Sequence, residues 1–233
     1  MKYNLFYIRF FFCLFLLSII SSPLVYAGGI VLGSTRIIYP SEKKQISISV
    51  ENTSDKERYL VQSWVENAEG KKITDFIVVP PLFVSKVGDK NTLRIMYTGP
   101  DLSPEHESVY YFNAQAIPSV ERSSIEGNNT LLLSAVTRIK LFVRPTGLHM
   151  PGDNISGELK FHRNNNKVIV NNPTPYYITI IKLRSNNKKV PDFMVAPFGT
   201  YSFDLPAGVD RTLTYFSIND YGGISAQQRG EIQ

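Results

Sequence analysis

Apolar residues fall at every second position over most of this chain, in short runs fenced by Gly, Pro, Asn and Ser, and no segment sustains a 3.6-residue period. That pattern belongs to pleated strands with one buried face, and it leaves almost no room for helix. In the first half the runs lie near Ile30–Tyr39, Gln45–Glu51, Tyr59–Glu66, Phe76–Ser85, Thr92–Thr98, Val109–Ile117 and Thr130–Val143, enough for one β-sandwich. Pro80-Pro81 interrupts the fourth run. Proline has no N–H for a ladder, so that run is expected at a sheet edge or passing between sheets. After Arg144-Pro145, where Thr146-Gly147 and Pro151-Gly152 punctuate the chain, shorter runs follow near Ile155–His162, Lys167–Val170, Tyr176–Leu183, Val190–Val195, Thr200–Leu205 and Leu213–Ile218.

Lys2 and Arg9 precede an apolar stretch from Phe10 to Ile20, and Val25-Tyr26-Ala27 offers small residues where signal peptidase cuts. The stretch falls short of the roughly 20 apolar residues a membrane span needs. Residues 1–27 are therefore read as a cleaved signal peptide, 28–145 as a first sandwich and 146–233 as a second, each near the roughly 100 residues of an immunoglobulin-type domain. The one cysteine, Cys13, leaves with the leader, so the exported chain has neither disulfide nor thiol. Loss of Lys2 and Arg9 takes the formal charge from +5 to +3, too mild to argue for nucleic acid.

The run Asn129–Pro145 is unusual, because Leu131, Leu133 and Ala135 share one face while Leu132, Ser134 and Val136 share the other. A strand apolar on both faces is either a core strand covered internally or an edge kept for another chain. Catalytic patterns are not visible. His106, His149 and His162 have no metal-ligand spacing, Ser63 and Asp75 lack a visible base or partner, and Trp64 reads as a core anchor. No cofactor, metal, small-molecule substrate or enzymatic activity is expected.

Several segments together resemble the periplasmic pilus chaperones of the chaperone/usher pathway. They are Thr35-Arg36-Ile37-Ile38-Tyr39-Pro40, Val50-Glu51-Asn52, Gln62-Ser63-Trp64-Val65, Pro80-Pro81-Leu82-Phe83, Leu93-Arg94-Ile95 and Glu107-Ser108-Val109-Tyr110-Tyr111-Phe112-Asn113. Thr137-Arg138-Ile139-Lys140-Leu141-Phe142-Val143-Arg144-Pro145 is similar to the family's signature strand. Asn172-Pro173-Thr174-Pro175-Tyr176-Tyr177, Met194-Val195-Ala196-Pro197 and Ile218-Asn219-Asp220-Tyr221-Gly222 extend the likeness through the second half. The chain departs from the family at Leu102–Ser108, where Glu105-His106 replaces a usual Asp-Arg before the Glu, and at Val143, where Tyr is common.

The resemblance implies an all-β protein of two immunoglobulin-like sandwiches joined at an angle, with a pilus subunit bound in the cleft between them. It implies that Asn129–Val143 is a strand lent to that subunit, offering Leu131, Leu133 and Ala135. Arg36 and Lys140 correspond to the family's anchor for the subunit's terminal carboxylate, and Glu107, Arg144 and Asp220 to an ion network between the domains. The stretch from Ser119 to Gly127 looks like the family's short-loop branch. Implied partners are pilus subunits and an outer-membrane usher, the implied compartment is the periplasm, and self-capping oligomers are left open. The competing reading is a secreted β-sandwich adhesin or a pilus structural subunit. Against it stand two linked sandwiches, no cysteine pair, and a polar end from Gln227 to Gln233.

Overall fold

The computed structural model describes residues 28–119, 131–152, 154–185, 188–204 and 211–233; the expected leader, most of the expected short loop, and Asn129-Thr130 at the start of the expected lent strand lie outside them. The first domain holds β1 (Ile30–Leu32), β2 (Arg36–Pro40), β3 (Ile46–Asn52), β4 (Tyr59–Glu66), β5 (Phe76–Val79), β6 (Leu82–Ser85), β7 (Lys90–Tyr97), β8 (Ser108–Pro118) and β9 (Ala135–Arg144). One sheet runs β1-β3-β7-β5 and the facing sheet runs β2-β9-β8-β4-β6. Their inner faces meet over Val50, Val61, Leu93, Ile95, Phe112 and Leu141, all buried.

Two expected runs are each split between the sheets. Phe76–Ser85 breaks at Pro80-Pro81, with a cis Val79–Pro80 bond, so that β5 pairs β7 while β6 pairs β4 in the opposite sheet. Ile30–Tyr39, expected as a single strand, also divides: β1 pairs β3, and β2 runs parallel to β9. The break falls at Gly33, whose N–H donates to the Ser49 carbonyl at 2.9 Å and whose missing side chain leaves room for the Ser49 hydroxyl. Each crossing lets a single run edge both sheets and so help close the sandwich.

A 3-10 turn, Ile155–Glu158, opens the second domain. It is followed by β10 (Lys160–Asn164), β11 (Lys167–Asn171), β12 (Ile178–Ser185), β13 (Lys188–Lys189), β14 (Phe193–Val195), β15 (Thr200–Asp204), β16 (Thr212–Ser217) and β17 (Gln228–Glu231). A β10-β11-β15 sheet faces a β13-β12-β16-β17 sheet with β14 beside β12, over a core of Phe161, Val168, Ile180, Leu183 and Leu213. The expected strand Ile155–His162 begins only at Lys160. The Tyr215 hydroxyl donates to the Ser156 carbonyl at 2.8 Å and the Ser156 and Ser217 hydroxyls meet at 3.0 Å, which holds that segment in a turn. The polar end forms β17 against β16, because ladder hydrogen bonds need only backbone.

Both domains fix a turn with a fully buried asparagine. The Asn52 amide donates to the carbonyls of Glu57 (2.8 Å), Lys86 (3.0 Å) and Ser85 (3.3 Å) while its oxygen accepts the Ser54 N–H. Asn172 donates to Tyr176 (2.7 Å) and Ala196 (2.9 Å) and accepts from Thr174.

Candidate functional site

The long apolar strand is shorter than its sequence indicates. It begins at Ala135, where the β8 ladder makes its last pairing, Ala116 with Ala135. Beyond that pair β8 has only Ile117 and Pro118 left, and Pro118 has no N–H to donate, so Leu131–Ser134 continue outside the sheet. From Ala135 to Val143 one edge of β9 is paired to β8. The other edge meets β2 only from Lys140 to Arg144. Among the described residues no strand covers that edge from Ala135 to Ile139.

Alternation carries one face of β9 from core to solvent. Ile139, Leu141 and Val143 point into the sandwich, and the same parity upstream gives Thr137, Ala135, Leu133 and Leu131, all exposed. Leu131 is 80% and Leu133 72% accessible. Exposed leucines in such a row, beside an unpaired edge, are what a docking strand would cover.

The opposite face of β9 turns toward the second domain through Lys140, Phe142 and Arg144. Arg36 of β2 stands directly across from Lys140 in the parallel register. The Arg36 guanidinium is buried, donates from one terminal nitrogen to the Ile218 carbonyl at 3.0 Å, and leaves its Nε without a partner. Lys140 Nζ donates to the Thr179 hydroxyl at 3.2 Å. Burial lowers the pKa of the Lys140 ammonium, and the neighbouring Arg36 charge lowers it further. Arg36 is lowered too, by burial, with Asp220 and Glu107 pulling the other way. Two desolvated cations on adjacent strands form an electropositive spot suited to a carboxylate.

Arg144 joins the domains. Its Nε donates to Glu107 Oε1 at 2.8 Å, and its terminal nitrogens grip both oxygens of Asp220 at 2.7 and 3.0 Å. The other Glu107 oxygen accepts the Tyr177 N–H at 2.9 Å, and the Glu107 N–H donates to the Pro175 carbonyl at 3.0 Å. Burial pushes the Glu107 carboxyl up, opposed by the Tyr177 N–H and by Arg144. Burial alone would lower Arg144, but hydrogen bonds and charge from Asp220 and Glu107 together hold it above its ordinary value. Next to this network a cavity of about 330 Å³ between the domains is lined by Arg36, Glu107, Phe142, Arg144, Tyr177 and Asp220, among others. The structure therefore brings Arg36 to Lys140 and Glu107 to Arg144 and Asp220, and sets Ala135 at the free start of β9 with Leu131 and Leu133 in the segment just before it.

One feature escaped sequence reasoning. Trp64 is not a core anchor: the buried positions of β4 are Val61, Ser63 and Val65, and Trp64 lies half-buried on the opposite face. Its indole N–H donates to Glu66 Oε1 at 2.8 Å, and Arg138 Nε donates to Glu66 Oε2 at 3.2 Å. The Trp64 hydrogen bond, with those of Arg138 and Asn113, holds the Glu66 carboxyl below its ordinary value against an opposing push from burial. Strand parity in β4 was the available signal, since Val61, Ser63 and Val65 alternate with it.

Known proteins match this chain over both domains. The family described as "Pili and flagellar-assembly chaperone, PapD N-terminal domain" matches residues 29–149, and "Pili assembly chaperone PapD, C-terminal domain" matches 154–229. The probable fimbrial chaperone SfmC of Escherichia coli K12 is 43% identical over 207 residues, covering 89% of this chain and 90% of SfmC. The E. coli chaperone protein FocC is 42% identical over 213 residues, covering 91% and 93%. Among solved structures, the periplasmic chaperone SfaE is 40% identical, with a TM-score of 0.74 over 88% of this chain and all of SfaE. The Salmonella enterica SafB chaperone, solved in complex with the SafA pilin, is 28% identical, with a TM-score of 0.79 over 88% and 97%.

Proposed function

Because this chain belongs to the PapD family of pilus-assembly chaperones, we propose that it is a periplasmic chaperone that binds pilus subunits, completes their fold with β9, and hands them to an outer-membrane usher. The observation that carries this reading is the open edge of Ala135–Ile139, continuous with exposed Leu131 and Leu133. A subunit strand entering that edge occupies the lane that β2 fills further along, and backbone hydrogen bonds hold it whatever its sequence. Its apolar partners cover Leu131, Leu133 and Ala135. The subunit's terminal carboxylate meets Arg36 and Lys140, which fixes the register, while Glu107, Arg144 and Asp220 hold the domain angle that brings Thr179 and Ile218 beside those cations. SafB, solved with a pilin, supports the choice of client class.

Residues 1–27 are the leader that takes the chain to the periplasm, and no enzymatic step is assigned. Co-expression with a pilus subunit and recovery of the complex from periplasm tests the function. The wild type yields a one-to-one complex, Arg36→Ala and Lys140→Ala yield folded chaperone without client, and retention of client by both variants removes the anchoring role.

A further inference from the structure

The larger sheet of the second domain carries, on its outer face, a row of side chains that crosses four strands. Lys189 of β13 stands opposite Arg184 of β12, Arg184 opposite Thr214 of β16, and Thr214 opposite Arg229 of β17. Opposed residues of a sheet point to the same side and strands lie about 4.8 Å apart, so the row is about 14 Å long. Leu183, Leu213 and Gly230, which alternate with it, are buried, so the row turns away from the core. Lys182 adds a fourth cation. The register shift between Ile181 and Arg184 leaves it exposed on this face, with its Nζ 5.7 Å from the centre of the Phe216 ring. None of Lys182, Arg184, Lys189 and Arg229 has an ion-pair partner among the described residues. Asp192, which accepts the Lys182 N–H at 3.0 Å, and Glu231, one row further along β17 and opposite Thr212, lie at the border of the patch. Like charges directly opposite one another, as Arg184 and Lys189 are, weaken a sheet, so the row does not serve the stability of the domain.

We infer that this face docks the protein on an anionic phospholipid bilayer. A bilayer surface offers many phosphates at no fixed register, which suits a flat row of cations spaced by the strands that carry it. A protein partner would instead call for an apolar centre, and here Ile181 and Phe216 are already half-buried, with Lys182 laid over the ring. The row also lies at the ends of β12 and β16 that are remote from the cleft. Arg184 is about 15 Å along its strand from Thr179, the residue that meets Lys140. Membrane contact and client binding therefore use separate surfaces, and a chaperone loaded with its subunit stays on the lipid.

The probes are vesicles of equal parts phosphatidylcholine and phosphatidylglycerol, and vesicles of phosphatidylcholine alone, with cosedimentation of the exported chain as the readout. The mixed vesicles retain the protein at about 0.1 M salt and release it at about 1 M, where the screening length falls from about 10 Å to about 3 Å. Phosphatidylcholine alone does not retain it. Each cation near an anionic surface is worth about fivefold in binding, so Arg184→Gln with Arg229→Gln loses about 25-fold, and Lys182→Gln with Lys189→Gln about as much. Lys43→Gln with Lys44→Gln removes the same charge from an exposed connection of the first domain and stays within about twofold of the wild type. Wild-type thermal midpoints establish that the variants are folded, and recovery of the subunit complex with each of them separates this surface from the client site. The inference is overturned if mixed vesicles retain no more protein than phosphatidylcholine, if either pair of variants in the patch binds like the wild type, or if the first-domain pair loses as much. It is also overturned if polyglutamate or inorganic phosphate at equal charge concentration strips the protein from the vesicles, which would assign the face to an acidic protein or a free anion.

Discussion

Arg36 and Lys140 face each other across the parallel β2–β9 pair, and neither has an ion-pair partner among the described residues. Holding two like charges together out of water costs the free protein stability. Lys140→Met is therefore expected to leave the thermal midpoint equal to or above that of the wild type while abolishing the subunit complex. A lowered midpoint in differential scanning calorimetry would mean that Lys140 serves the fold.

The same pair sets a pH signature. In the free protein Lys140 titrates below the ordinary lysine value, because burial and Arg36 both disfavour its charge. Unfolding restores the ordinary value, so between the lowered pKa and the ordinary one the unfolded chain binds more protons and folding stability rises with pH. Client binding runs the opposite way. A bound carboxylate favours the ammonium, so affinity is full below the free-state pKa and falls as pH climbs through the bound-state value. Calorimetric titrations at alkaline pH should show proton uptake on binding, and Lys140→Arg should abolish both the uptake and the fall.

Arg144 is the cation paired with both carboxylates, and its removal leaves Glu107, which is 2% exposed, without an ion-pair partner. Breaking a buried pair in this way costs about 3–5 kcal/mol. Arg144→Ala should lose that much stability and widen the spread of interdomain angles seen by solution scattering. Glu107→Gln keeps an acceptor for the Tyr177 N–H and should be milder. Since burial raises the Glu107 pKa, its contribution is full below the ordinary glutamate value and is lost as pH rises through the raised one. That pH dependence should be missing from Glu107→Gln.

Much of this was legible because strand alternation is local. Ile46, Ile48 and Val50, or Leu93 and Ile95, declare their inward face without any knowledge of partners. Pro80-Pro81 announced a crossing between sheets, since a missing N–H is a property of the residue itself. The break at Gly33 was silent, because it depends on how closely Ser49 approaches. The start of β9 at Ala135 was equally hidden, being fixed by where the partner β8 runs out. Periodicity did not reveal Arg36, Lys140, Glu107, Arg144 and Asp220 as groups: the resemblance linked them, and only the fold puts Asp220 within 3 Å of a side chain 76 residues away. Trp64 was misread because aromatic size was weighed above its parity in β4.

Leu131 and Leu133 contribute little to the folded chaperone, being largely exposed. Leu131→Ser and Leu133→Ser should shift unfolding by no more than about 0.5 kcal/mol. Each should nonetheless weaken subunit binding by about 1.5–3 kcal/mol, the value of burying a leucine side chain. Chemical denaturation and complex recovery measure the two effects separately. Destabilisation comparable to the binding loss would mean that these residues pack against their own chain.

Asn52 makes the opposite prediction, since it lies on the far side of the first domain from the cleft chemistry and has no accessible surface. Its amide reaches the carbonyls of Glu57, Ser85 and Lys86, tying the turn after β3 to the end of β6. Asn52→Ala strands those acceptors, each worth about 1–3 kcal/mol when buried and unsatisfied. Asn52→Asp keeps the acceptor for the Ser54 N–H but turns a carboxylate toward carbonyl oxygens, so it should be at least as damaging near neutral pH. Subunit affinity per folded molecule should be unchanged in both variants. A variant that binds poorly while unfolding at the wild-type midpoint would show that this turn communicates with the cleft.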